Sequence, residues 1–371
     1  MPFRVVIAGG GVAGIEAALA LRALASGLVT VELASTETTF AYRPLVVSEP
    51  FGRGHVHMLD LREITADIGA TLRIAGLAGV DNSGSRAIFD DGTSAEYDAL
   101  VIACGTRRVS AVPGASTFAG PADVETYRRM LDDIDSGDVA SVAFVVPHGT
   151  VWPLPIYELA LMTARRPAKH EAELTLVTPE DEPLDVLGPA ATRAVSDLLG
   201  EHGIRLLAGV LPMGVREGRL TLAPSGAVEA DRFVALPAQH GIELDGVPHV
   251  PGGFIPVDEH GRVQGLTRVF AAGDITNYSV KQGGIAAQQA DAVAQVVAAE
   301  AGAAILPEPF RPILRSVLLT GGGPRYLSSH VRNGAELSSV ATTQPFWSPA
   351  DKIVAPFLAP YLARRIDGVL G

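Results

Sequence analysis

Arg4-Val5-Val6-Ile7-Ala8-Gly9-Gly10-Gly11-Val12-Ala13-Gly14 is the stretch that decides the fold. The run up to Ala8 is short, apolar and rich in β-branched residues. It predicts a parallel strand buried on both faces and ended by glycines. Gly9, Gly11 and Gly14 keep the spacing G-x-G-x-x-G. The first glycine makes the tight turn, the second lets a pyrophosphate approach the backbone, and the third lets helix and strand pack closely. Ile15 to Ala25 predicts a helix whose N-terminus faces the phosphates. Val29 to Leu33 predicts the next strand, so strand, glycine turn, helix and strand make one βαβ unit. Glu32 is expected at the end of that second strand, about 20 residues beyond the glycines, where a carboxylate accepts hydrogen bonds from an adenosine ribose.

Working outward, Leu72 to Val80 and Arg86 to Phe89 predict strands, and Ala99 to Ala103 predicts a buried strand ended by Gly105. A second α/β unit starts at Val139 to Val146, with a helix over Pro155 to Ala164 and a strand over Glu173 to Val177. Arg268 to Ala272 returns to the buried-strand pattern, followed by Gly273-Asp274 and a long Ala-rich helix from Gly284 to Ala301. After Pro307 the texture changes. Leu314 to Leu319 predicts a strand, and Lys352 to Arg365 an amphipathic helix. The expected fold class is α/β: two interleaved Rossmann-like domains plus a small C-terminal unit. Residues 1–112 and 250–306 form the first domain, 113–249 the second and 307–371 the C-terminal segment.

Composition narrows the function. Of 371 residues, 47% are hydrophobic and 19% charged, enough to build a core and too apolar for global disorder. The net charge of −12 counts against nucleic acid as a partner and weakens attraction to an anionic bilayer. The one cysteine, Cys104, makes no intramolecular disulfide and no thiolate metal cluster, and its place at a strand end reads as a buried, inert thiol. His55-x-His57 is too little for a metal site, and none is expected. No signal-type leader and no apolar run of roughly 18 residues is present, so the cytoplasm is the expected compartment.

Three motifs stand in order: the glycine turn, Leu100-Val101-Ile102-Ala103-Cys104-Gly105-Thr106, and Val269-Phe270-Ala271-Ala272-Gly273-Asp274 followed by Lys281-Gln282-Gly283-Gly284. On these the chain resembles the two-dinucleotide-binding-domain flavoproteins, nearest the type II NADH dehydrogenase and sulfide:quinone oxidoreductase branch. Cys104 departs from the family's usual Thr. The resemblance implies FAD, with Gly9, Gly11, Gly14, Glu32, Arg43, Gly105, Gly273, Asp274 and Gly284 as its binding residues. It places Asp274 at the ribityl or pyrophosphate region and the N-terminus of the helix near Gly284 at flavin N1 and O2, where it stabilises the anion of reduced flavin. Arg43 reads either as a phosphate or flavin-ring ligand or as a surface arginine. Glu158, matching the glutamate that opens the second helix in related reductases, reads either as a proton relay or as a glutamate favoured by the helix dipole. Glu158 and Lys281 are the candidate catalytic residues.

The departures are equally informative. Dithiol chemistry needs two cysteines, so disulfide reduction and two-cysteine sulfide oxidation are excluded. The second turn, Val145-Val146-Pro147-His148-Gly149-Thr150-Val151-Trp152-Pro153, keeps only Gly149, so weak or no NAD(P)H use is expected. Trp152 and Tyr157 belong either to a packing scaffold or to a pocket beside the flavin. The tail aromatics Phe346, Trp347, Phe357 and Tyr361, flanked by Lys352, Arg364 and Arg365, suggest an interface, within the chain or in a homodimer, or a peripheral membrane face. The expected function is two-electron transfer through FAD between a small-molecule donor and acceptor, a quinone being one such acceptor. The alternative is a FAD-binding sensor or interaction protein without turnover.

Overall fold

The computed structural model of the chain describes residues 2–332 and 335–366. The glycine turn follows strand Phe3–Ala8 and opens helix Val12–Leu24. Five parallel strands assemble around it in the order Thr71–Ile74, Val29–Ser35, Phe3–Ala8, Ala99–Ile102, Val269–Ala271. The last strand comes after the whole second sheet in sequence, which makes the two Rossmann-like units interleave. The second sheet runs Ser116–Thr117, Arg232–Ala235, Ser141–Val145, Glu173–Val177, Arg205–Leu207, also parallel. The Val, Ile and Leu side chains of both sheets enter core on each face, as parallel sheets require. Helices Val12–Leu24 and Gly283–Glu300 lie against one another over the first sheet.

Three predicted elements come out differently. The stretch Leu72 to Val80 is two strands: Thr71–Ile74 joins the first sheet, and Leu77–Asp81 pairs antiparallel with Arg86–Phe89 in a separate meander. The break lies at Ala75-Gly76, where Gly76 N donates to the Asp90 carboxylate and the Gly76 carbonyl accepts from Asp90 N. The second strand runs on to Ser35, past the predicted end at Leu33. Among the described tail residues, α-helix is confined to Leu358–Ala363. Pro356 comes just before this helix and Pro360 falls in its first turn, the one stretch of a helix that tolerates a residue without an N–H.

The C-terminal segment begins as a three-stranded antiparallel sheet, Ile313–Leu318, Arg325–Arg332 and Ala335–Thr342. Gln288 of the long helix exchanges two hydrogen bonds of 2.9 Å with the backbone of Ile313. The chain then turns back. Ile353, Ala355, Leu358, Tyr361, Leu362 and Ile366 enter the same core as the first helix. The tail aromatics Phe357 and Tyr361 are therefore covered within the chain, whereas Phe346 stays 47% exposed. Among the described residues no helix is long and apolar enough to cross a membrane.

Candidate functional site

The glycine turn is built so that side chains are excluded in two places and space is left in a third. A Cβ at Gly9 would lie 2.2 Å from the Ala103 carbonyl oxygen, and one at Gly14 would lie 1.8 Å from the Gly9 oxygen. Gly9 also sits at φ +128°, a conformation that favours glycine. At Gly11 nothing lies within 4 Å of where a Cβ would be. The first helical bond runs from Ile15 N to the Gly11 carbonyl. The N–H groups of Val12, Ala13 and Gly14 therefore have no helical partner, and open space lies before Gly11. That is the arrangement an anionic pyrophosphate fits.

Gly273 brings the third motif to this turn. At φ +82° its backbone passes so close to the first helix that a Cβ would lie 3.0 Å from the Ala13 Cβ. Its N–H donates to Gln289 Oε1 at 2.8 Å, which fixes the loop on the long helix. Asp274 follows, facing the cleft. Burial pushes its carboxyl up, while the positive charges of Lys281, Arg108 and Arg43 pull it down. Gly105, at φ +70° with open space before it, completes the edge of the cleft. Gly283 and Gly284 start the long helix, and Gln282 caps it by accepting from Ile285 N at 3.0 Å. A Cβ at Gly283 would meet Ile353 at 2.9 Å, so the C-terminal segment lies directly over this helix start.

The structure thus brings Gly9, Gly11, Gly14 and Gly273 together at one turn, beside the Ala103 that precedes Gly105 by two residues, with Arg43 and Arg108 close enough to Asp274 to bear on its charge. It does not bring Glu32 there. Glu32 pairs in register with Val6, three residues short of the strand's end, and its Oε1 accepts from Arg73 Nε at 2.6 Å. The residue at the strand tip is Ser35, whose Oγ lies 3.0 Å from a Cβ placed on Gly10. The strand is two residues longer than its apolar pattern indicated, and period-2 alternation puts Glu32 and Ser35 on opposite faces.

Both candidate catalytic residues turn out to be buried and already bonded. Lys281 Nζ donates to the carbonyls of Thr276 and Tyr278, each at 2.5 Å, and lies 4.3 Å from the centre of the Phe254 ring. Burial lowers its pKa to about 8, against the pull of Asp274. Glu158 is 1% exposed and holds Lys352 Nζ with both oxygens at 2.7 Å, while its Oε1 also accepts from Leu319 N. Burial pushes the Glu158 carboxyl up, and the Lys352 ammonium opposes that shift. This pair ties the second domain's helix, Leu154–Arg165, to the C-terminal segment. Beside it, the Tyr42 hydroxyl accepts from Ile353 N at 3.2 Å. Arg108 and Ser35 stand in no motif of the sequence, and Lys352 reads there only as a basic residue flanking the tail aromatics. Arg108 lies just past a strand-ending glycine, which was a usable signal. Lys352 gave none, because its partner is 194 residues away.

The turn after Ser141–Val145 is of another kind. Pro153 is the N-cap of helix Leu154–Arg165, and Pro155 stands in its first turn. Neither has an N–H, and Ile156 N is spent on the Pro153 carbonyl. Tyr157 lines no cleft. It is fully buried, and its hydroxyl donates to Glu180 Oε2 at 2.7 Å. Burial raises the Glu180 carboxyl to about 7. Asp181, Glu182 and Asp185 follow in the same loop and add negative charge. Cys104 is half-buried, and desolvation raises its thiol to about 12, which keeps it protonated. Among the described residues no group of three metal-ligating side chains occurs.

Comparison with known proteins adds to this geometry. The family described as pyridine nucleotide-disulphide oxidoreductase matches residues 3–301. An NADH dehydrogenase-like protein of Mycobacterium tuberculosis is 28% identical over 298 residues, 73% of this chain and 72% of the relative. The ferredoxin reductase component of a chlorobenzene dioxygenase from Cupriavidus is 30% identical over 332 residues, 82% of this chain and 75% of the relative. The solved sulfide:quinone oxidoreductase of Aquifex aeolicus superposes with a TM-score of 0.83 at 20% identity, covering 92% of this chain and 86% of that one.

Proposed function

The chain belongs to the pyridine nucleotide-disulphide oxidoreductase family, and from that premise we propose a flavoenzyme that takes electrons poorly from NADH or NADPH and passes them to a small quinone-like acceptor. It is a FAD-dependent oxidoreductase. Bound FAD supplies a carrier for two electrons. The chain supplies the rest. The free N–H groups after Gly11 bind the pyrophosphate, with Arg43 and Arg108 adding positive charge at the cleft mouth. Asp274 binds the sugar chain between phosphate and ring. The start of the helix at Gly283 and Gly284 favours negative charge on the reduced ring. Ile353 and Val354 cover that helix start and keep water from it.

One observation carries the low use of nicotinamide: the second turn has no anion bed. Two prolines and one internal bond remove donors from the helix start, and the loop after Glu173–Val177 is acidic. A dinucleotide pyrophosphate there meets carboxylates and few N–H groups. Hydride transfer needs the nicotinamide held about 3–3.5 Å from the flavin, so lost anchoring lowers the rate steeply. The NADH in the mycobacterial relative's description is a statement about that relative.

The test is anaerobic spectroscopy of the purified yellow protein. Micromolar NADH or NADPH should bleach the flavin bands slowly. After photochemical reduction, a water-soluble quinone should restore them quickly. Rapid bleaching by either nicotinamide, or reduced flavin indifferent to quinone, would overturn the respective half of the proposal.

A further inference from the structure

Glu16 has no place in the cofactor site, yet it is 0% exposed. It lies on the helix that follows the glycine turn. Its Oε1 accepts from Phe357 N at 3.0 Å and its Oε2 from Leu358 N, so one carboxylate caps the C-terminal helix Leu358–Ala363. A second carboxyl, Asp291 on the long helix Gly283–Glu300, meets it side by side, and Asp291 Oδ1 is buried with no hydrogen-bond partner. Two carboxyls at hydrogen-bond range in a buried helix interface cannot both stay ionised at low cost. One shared proton resolves both problems: it gives Asp291 a donor and leaves Glu16 the charge that its two backbone N–H partners favour.

We propose that Glu16 and Asp291 form a proton-sharing clasp that holds the segment 351–366 closed over the cleft, and that losing the shared proton releases this segment. The clasp is well placed to do so. The same segment lays Ile353 over Gly283 and carries Lys352 to Glu158, so its anchoring decides whether the cleft is covered. Other charges do not offset the pair. Among the described residues, Asp291 is the ionisable group facing Glu16, and Glu16 the one facing Asp291. On the C-terminal helix, Arg365 is taken up by Glu63 and Asp67, and Arg364 lines an outer cleft with Arg22 and Tyr361. Burial, the larger cause in each case, raises Glu16 to about 7 and Asp291 to about 9. The two titrate as a unit, so the pair carries its last proton at neutral pH and sheds it under alkaline conditions. Both native values lie above those of an unfolded chain. The folded state therefore binds more protons, and the clasp weakens as pH rises.

The inference does not depend on which substrate the enzyme uses. Its test is pulsed hydrogen exchange of the full chain, corrected for intrinsic rates, at about pH 7 and about pH 10. Protection of the amides from 357 to 363 should fall roughly tenfold, while that of the strand Phe3–Ala8 holds. Asp291→Asn keeps a neutral hydrogen-bonding partner for Glu16 and should remove the fall. Glu16→Gln should lower protection equally at both pH values. The variants are checked against the wild-type profile, which is informative even if one of them folds poorly. Protection in the wild type that is flat across this range, or an Asp291→Asn profile that falls as the wild type does, would overturn the clasp.

Discussion

At the residue scale, glycines that look alike in the sequence are held for different reasons. Gly14 faces backbone at 1.8 Å, whereas Gly11 faces open space. Gly14→Ala should therefore disrupt the fold, read as lost cooperative unfolding by circular dichroism. Gly11→Val should leave the fold and remove the yellow flavin spectrum, since its side chain enters only the ligand's space. A Gly11→Val protein that stays yellow would show that the pyrophosphate lies elsewhere. The Glu158–Lys352 pair gives a second case. Lys352→Met leaves a fully buried carboxyl without its cation and should cost roughly 3–5 kcal/mol in urea unfolding. Adding Glu158→Gln should recover a large part of that loss. Without Lys352, only the Leu319 N–H opposes burial, and the carboxyl rises further. The folded chain then keeps a proton that the unfolded chain gives up. The deficit should be smallest below the ordinary carboxylate range and grow as pH rises toward neutrality.

At the element scale, the tail decides more than its length suggests. Ile353, Leu358, Tyr361 and Leu362 are buried in the core that holds the first helix and the long helix Gly283–Glu300, each contributing about 1.5–3 kcal/mol of burial. Deleting residues 343–371 should expose that apolar face and uncover the start of the helix Gly283–Glu300. The expected result is a lower melting temperature together with faster flavin release, measured by flavin fluorescence. A truncated protein with unchanged melting temperature and flavin retention would mean that the tail does not hold the cleft. The helix Leu154–Arg165 makes the opposite point. It has the position of a nucleotide-binding helix, but Pro153 and Pro155 deprive its N-terminus of the donors such a helix uses.

At the scale of the whole molecule, charge and burial lead to one expectation about surfaces. The chain carries −12, and two of the four tail aromatics that suggested a bilayer contact, Phe357 and Tyr361, pack against its core. The full-length protein should stay at the bottom of a flotation gradient with anionic liposomes, and lowering the salt should not change this. Flotation would point to Phe346 and its surroundings as a membrane contact. The sequence alone determined the first βαβ unit, the order of the three cofactor motifs, the missing dithiol and the degenerate second turn. Each rests on residues close together in the chain, where local sterics and periodicity act. It also marked Gly9, Gly11 and Gly14, because turn geometry restricts residue type at those positions, and through the family resemblance Gly273 and Asp274. Only the tertiary structure decided the rest. Two more residues of strand moved Glu32 away from the strand's end and left Ser35 there. Burial beside distant partners turned Glu158 and Lys281 into bonded, enclosed groups. Arg108 and Lys352 entered the site, and Glu16 met Asp291, through contacts between segments far apart in sequence. Such contacts leave no periodic trace, because a buried polar residue is recognisable only once its partner is in place.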